Sequence, residues 1–141
     1  MLIEVCSLER ALKLAAETGP PTAVISITSK EEKDVLFPEA ACVEAVLRLK
    51  FNDLWEEYDD EGIPFGRPLP RQEDFAGLKE FVAGLSCERL VVHCREGISR
   101  SAAVAKAIRE YRGGADEMRT ERPIYPNPLV FTLALRELGM T

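Results

Sequence analysis

Apolar and polar residues along the chain change period in a regular succession. Residues 2–6 (LIEVC) read as a short strand, and the stretch from Leu8 to Glu17 carries apolar side chains at helical spacing, with Ser7 placed to cap it. Gly19-Pro20-Pro21 stops that helix. Ala23–Thr28 (AVISIT) is β-rich and bounded by breakers, which predicts a buried strand. The charged stretch Glu31–Asp34 predicts a solvated connection. Ala45–Phe51 (AVLRLKF) predicts a further strand, ending at Asn52-Asp53. Residues 54–70 then lose all periodicity, acidic at first (EEYDDE) and afterwards rich in Gly and Pro. Loops of that length in compact domains are uncommon and often functional. Trp55 and Tyr58 are expected to pack within it.

Periodicity returns from Arg71 to Leu85, where Phe75, Leu78, Val82 and Leu85 recur at helical spacing. Arg89–His93 (RLVVH) is nearly all apolar, as a central strand of a parallel sheet must be. A helix follows with Ala103, Val104, Ala107, Ile108 and Tyr111 on one face, ended by Gly113-Gly114. The last helix starts at Asn127, its N-cap, with Pro128 at the first helical position, and runs to Leu138 before Gly139. Strands alternating with helices predict an α/β domain whose central, mainly parallel sheet is flanked by helices. Ligands of such sheets bind beyond the carboxyl ends of the strands. The turn after Val91-Val92-His93 is one of those ends.

Composition narrows the function. The 141 residues show no repeat or linker and suit a single domain, 1–141. Eighteen Lys and Arg stand against 24 Asp and Glu, a net charge of −6, which argues against a nucleic-acid or anionic-membrane partner. No apolar run nears the roughly 20 residues of a membrane span, and no secretory leader pattern opens the chain. The expected compartment is the cytoplasm. There Cys6, Cys42, Cys87 and Cys94 should be free thiols; they lack CxxC spacing, and one histidine is too few to suggest a zinc site.

One segment concentrates chemistry: His93-Cys94-Arg95-Glu96-Gly97-Ile98-Ser99-Arg100-Ser101, between the buried strand and a helix start. A short loop closing onto a helix N-terminus aims backbone N–H groups inward and makes a nest for an anion. Gly97 supplies a backbone conformation that bulkier residues resist. Arg100 brings a planar guanidinium that holds two phosphate oxygens at once. Cys94, at the floor, sits in the field that would hold the phosphate, and that field favours the nucleophilic thiolate. Against the acidic background, residues 89–112 carry six Lys and Arg and two acids, a local balance of +4.

HCREGISRS resembles the H-C-x5-R-[S/T] phosphate loop of cysteine-based protein tyrosine phosphatases, and its H-C-x-x-G-x-S-R-S form is most similar to the small dual-specificity branch. Lys50-Phe51-Asn52-Asp53 is similar to the segment that supplies that branch's general acid, and Tyr125-Pro126-Asn127-Pro128 to the helix start after its catalytic helix. The resemblance covers residues 45–138. It implies a phosphatase-like α/β fold and a metal-independent phosphomonoester hydrolase without cofactor. Cys94 would attack phosphorus; Arg100 and the amides of Arg95, Glu96, Gly97, Ile98 and Ser99 would bind the phosphate. Asp53 would act as general acid and then base, Ser101 would donate to the departing thiolate, and His93 would order the loop. The substrate implied is a phosphorylated protein or a small phosphoester. Oligomeric state carries no signal.

Alternatives stay open. The 40 residues between Asp53 and Cys94 exceed what the resemblance leads one to expect, so an insertion in 54–70 is implied, and its Asp59 or Asp60 competes with Asp53 as acid. Cys94 also admits the reading of an inert core thiol, His93 of a structural histidine, and Ser101 of a helix N-cap. Cys6, Cys42 and Cys87 read as core thiols, with the alternative that one of them protects Cys94 as a reversible disulfide partner. Arg95, Glu96 and Ile98 are positions that tune substrate choice. A phosphoinositide phosphatase shares the chemistry, although Glu96 disfavours a highly charged head group. A phosphate-binding module without turnover changes the class. An arsenate reductase with a similar loop is remoter, because in that fold the loop lies near the N-terminus.

Overall fold

The computed structural model describes residues 1–38 and 42–140. Among them five strands alternate with four helices: β1 (Leu2–Ser7), α1 (Leu8–Ala16), β2 (Thr22–Thr28), β3 (Val43–Lys50), α2 (Leu78–Ala83), β4 (Arg89–Cys94), α3 (Arg100–Tyr111), β5 (Glu117–Thr120) and α4 (Pro128–Glu137). The strands form one sheet in the order β3-β2-β4-β1-β5, parallel at every pairing. The α/β architecture is thus as expected. No helix among the described residues is long and apolar enough to cross a membrane.

Both sheet faces are covered, which is why β2 and β4 carry no exposed residue. On one face Ile3, Val5, Ile25, Ile27, Leu90, Val92 and Cys94 pack with α2, α3 and α4 in the main core. On the other, Cys6, Val24 and Val91 meet Ala11 and Leu14 of α1, with Phe37 packed against them. Alternation along β4 therefore sends Cys94 and His93 to opposite faces. The sheet order puts β4 at the centre, and its carboxyl end opens directly into the loop that starts α3.

Three elements differ from expectation. The segment 71–85 is not one helix: a 3₁₀ turn, Gln72–Phe75, precedes α2, and Gly77 between them is left-handed, with φ +89°. The helical spacing survives the break because Phe75, Leu78 and Val82 are all still buried. β5 (EMRT) gave no strand signal, since none of its side chains is buried; it forms by pairing with the free edge of β1. Residues 31–34 are more than a solvated connection, because Glu32 is half-buried against the site described next.

Candidate active site

The chain leaves β4 at Cys94 and enters α3 at Arg100, and the five residues between curl into a cradle. Three of their carbonyls are turned to neighbours outside the loop. Arg95 O accepts from Leu8 N–H at 3.2 Å, Ile98 O from Tyr125 N–H at 2.9 Å, and Ser99 O from Ala103 and Asn127 N–H at 3.0 and 3.2 Å. Because a trans peptide holds its C=O and N–H on opposite sides, this turns the N–H groups of Glu96, Ser99 and Arg100 the other way, into the cradle. Ser99 is the N-cap of α3, yet its side chain does not cap the helix. The first amides of α3 thus keep their polarity for whatever the cradle holds.

Cys94 Sγ lies at the floor, 3% exposed as a residue. Gly97 N–H donates to it at 3.3 Å and Ser101 Oγ lies 3.1 Å away. Ser101 sits inside the first turn of α3, fully buried, so its hydroxyl meets the sulfur and not the helix end; the N-cap alternative falls to Ser99. Gly97 is left-handed, φ +75°, and a Cβ there would stand 2.4 Å from Cys6 C and 2.6 Å from Ser7 N. The junction of β1 and α1 is thus one wall of the cradle.

Arg100 is buried at 6% exposure. Its Nη1 donates to Ser29 Oγ at 3.0 Å and to Phe51 O at 3.1 Å, which fixes the guanidinium, while its buried Nε has no partner among the described residues. A buried charged donor without an acceptor is costly, and an oxyanion held by the loop would satisfy it. Glu32 braces the same corner: its carboxylate accepts from Ser29 N–H at 2.7 Å and lies 3.5 Å from Arg95. Partial burial works to raise its pKa, but the hydrogen bonds from Ser29 and the charges of Arg100 and Arg95 outweigh it and hold the carboxyl below its ordinary value.

His93 faces away from the cradle. Burial, helped by the charge of Arg100 and opposed by the hydrogen bond to Cys94 O, pulls its pKa below the ordinary imidazole value. A neutral ring with Nδ1 3.0 Å from Cys94 O donates there, leaving Nε2 to accept from Ser26 Oγ at 2.7 Å. His93 therefore ties the end of β4 to β2 and anchors the loop's first carbonyl.

Asp53 is exposed and reaches the cradle from the end of β3. Its Oδ1 accepts from Ser99 Oγ at 2.8 Å and from Asn127 Nδ2 at 2.9 Å. Asp59 is engaged elsewhere: its Oδ1 accepts from Glu61 and Ile63 N–H at 2.9 Å each, closing a turn of its own loop. Asn127, which the sequence marks only as an N-cap, does three things. It caps α4 through Leu129 and Val130 N–H, holds Asp53, and donates to Leu54 O at 3.1 Å. Ser29 and Glu32 had no sequence signal, because their partners lie 71 and 63 positions away in the chain.

The three positions expected to tune substrate choice differ in exposure. Arg95 and Glu96 are exposed, and Glu96 accepts from Arg122 at 2.7 Å; Ile98 is half-buried. Trp55 and Tyr58 pack against their loop only in part, since each is 52% exposed.

All four cysteines are free. Cys87 precedes the start of β4 and is about 20 Å from Cys94 along extended chain, while Cys42 Sγ meets Ala15 O and Glu17 O at the far end of α1. Cys6 is nearer, but it faces α1, and burial with the Glu121 and Glu4 carboxylates pushes its thiol up to about 12. No group of three or more His, Cys, Asp or Glu suited to a metal ion occurs among the described residues. Compared with protein-family models, curated proteins and solved structures, the chain matches none.

Proposed function

We propose that this chain is a cysteine-dependent phosphomonoester hydrolase of the tyrosine or dual-specificity type. One observation carries the proposal: a thiol sits at the floor of an inward-facing amide loop beside a buried arginine whose Nε has no partner among the described residues. Phosphate supplies what that geometry is short of, negative oxygens above a nucleophile.

In this reading Cys94 Sγ attacks phosphorus; an S–P bond forms as the P–O bond to the leaving group breaks. Asp53 gives its proton to the departing oxygen. Water then attacks the phosphocysteine and Asp53 takes its proton back, while the S–P bond breaks and the sulfur leaves as thiolate, receiving a hydrogen bond from Ser101 Oγ. Loop amides and Arg100 carry the developing charge throughout. Free thiols, one of them the nucleophile, suit a reducing compartment such as the cytoplasm.

The test is hydrolysis of p-nitrophenyl phosphate with chelator present, followed by mass-spectrometric search for phosphate on the peptide bearing Cys94. Turnover with a trapped phosphocysteine supports the proposal; no turnover, or phosphate on another residue, overturns it.

Two variants probe the roles separately. Arg100→Lys is expected to lower kcat/KM by about 10²-fold or more. One ammonium cannot at once replace the contacts to Ser29 Oγ and Phe51 O and present a planar pair of donors to phosphate. Near-native kinetics would count against the clamp. Asp53→Asn keeps an oxygen that can accept from Ser99 and Asn127, so the site stays assembled while the proton is lost. It is expected to flatten the limb of the pH–rate profile that reports the proton donor, and to slow phenyl phosphate more than p-nitrophenyl phosphate, whose better leaving group needs less protonation. If Asp60→Asn produces this pattern instead, the acid lies in the insertion.

A further inference from the structure

A substrate whose phosphate lies in the loop leaves it past Asp53, and the segment it meets there is 54–70. That segment is built, not slack. Asp59 N–H donates to Ile63 O at 2.9 Å and Phe65 N–H to Glu57 O at 3.1 Å, so residues 57–65 double back as a small ribbon bridged at Tyr58 and Pro64. Its root is pinned beside the acid: Leu54 is buried, and Asn52 Nδ2 donates to Pro68 O at 3.1 Å. A groove of about 440 Å³ runs from Asp53 along this ribbon, past Trp55, Tyr58, Asp60, Phe65 and Arg67.

Two features of the groove are unusual for a mere connection. Trp55 and Tyr58 are each 52% exposed and Phe65 43%, so three aromatic rings line one hollow and stay in contact with water. The charge is lopsided as well: four carboxylates, Asp53, Glu56, Asp59 and Asp60, line the groove against one cation, Arg67. Asp53 and Asp59 are engaged as described; Glu56, Glu57, Asp60 and Glu61 are exposed, and none pairs with a described cation.

Resting on the phosphatase reading, we infer that this groove takes the polypeptide flanking a phosphorylated residue and selects flanks that carry Lys or Arg. Aromatic faces with carboxylates beside them suit a cation on an apolar stem, which stacks on the rings and pairs with the acids. The same carboxylates repel a ligand bearing further phosphates, such as a polyphosphorylated inositol head group. Phosphate anchoring thus stays with the loop and Arg100, and discrimination belongs to the insertion.

The experiment uses two phosphotyrosine peptides of equal length, one with Lys and Arg flanks and one with Asp and Glu flanks, together with a soluble inositol bisphosphate. Wild type is expected to favour the basic peptide in kcat/KM by about tenfold at low salt, less as salt rises. The double variant Trp55→Ala, Glu56→Gln is expected to cut that preference to about twofold while hydrolysing p-nitrophenyl phosphate as wild type does. Both side chains are exposed, and an unchanged melting temperature shows that folding is intact. Calorimetric binding of the two peptides to Cys94→Ser reads the same discrimination without turnover. If p-nitrophenyl phosphate is not hydrolysed but the basic peptide still binds more tightly, the catalytic reading fails and the groove stands. Equal binding and turnover of the two peptides, a preference unmoved by the double variant, or faster hydrolysis of the inositol bisphosphate overturns the inference.

Discussion

Cys94→Ser is expected to abolish turnover, by on the order of 10⁴-fold or more, without weakening the binding of inorganic phosphate. The two halves of this expectation come from different parts of the site. Turnover needs an atom that is ionised and nucleophilic near neutral pH; a thiol achieves this in a positive field, and an alcohol does not. Binding needs donors, and those are the loop amides, the start of α3 and Arg100, none of which the substitution removes. Serine is slightly smaller than cysteine, and Gly97 N–H and Ser101 Oγ remain beside it, so the cradle keeps its shape. Steady-state assay of p-nitrophenyl phosphate and isothermal titration with phosphate check both halves. Retained turnover would remove Cys94 from the role of nucleophile. Loss of both would mean that the sulfur holds the loop together, and the binding half of the expectation would be wrong.

What could be read from the sequence and what could not divide along the distance over which each feature is determined. Ser7 accepts from Arg10 N–H and Asn127 from Leu129 and Val130 N–H, as local capping rules require, and β2 and β4 are buried throughout, as their apolar runs predict. The segment His93–Ser101 is equally local, since nine consecutive residues hold the thiol, the glycine, the arginine and the hydroxyl. Edge strand β5 was illegible because none of its side chains is fully buried, Met118 alone being partly covered by the core, and it extends by pairing with the exposed edge of β1. The break at Gly77 was hidden by spacing, because Phe75, Leu78 and Val82 face the core on either side of it. The outer braces of the site were hidden by distance. Ser29 and Phe51 hold Arg100, and Glu32 faces Arg95, only because the parallel sheet brings the carboxyl ends of β2 and β3 to the same edge as that of β4. Periodicity does not show which strands are neighbours.

Gly97→Ala is the second change with a large expected effect, and it tests whether the loop is set by the wall of β1. Two penalties meet at this residue. The backbone is left-handed at φ +75°, which a residue with a Cβ adopts at a cost of roughly 1 kcal/mol. The new methyl would also stand 2.4 Å from Cys6 C, 2.6 Å from Ser7 N and 2.7 Å from Cys6 O. All three are backbone atoms at the end of a central strand, so relief requires the loop itself to move. The combined cost is about 3 kcal/mol or more, a fall in melting temperature of roughly 10 °C. Movement of the loop takes Gly97 N–H away from Cys94 Sγ, so turnover should fall along with stability. Gly113→Ala separates the two penalties: its φ is +98°, yet a Cβ there meets nothing within 4 Å, so only the conformational part is lost. Thermal melts of both variants beside wild type make the comparison. A Gly97→Ala loss no larger than that of Gly113→Ala would mean that β1 does not wall the cradle, whereas a clearly larger one, accompanied by lost activity, makes the strand end and the loop between Cys94 and Arg100 a single packed unit.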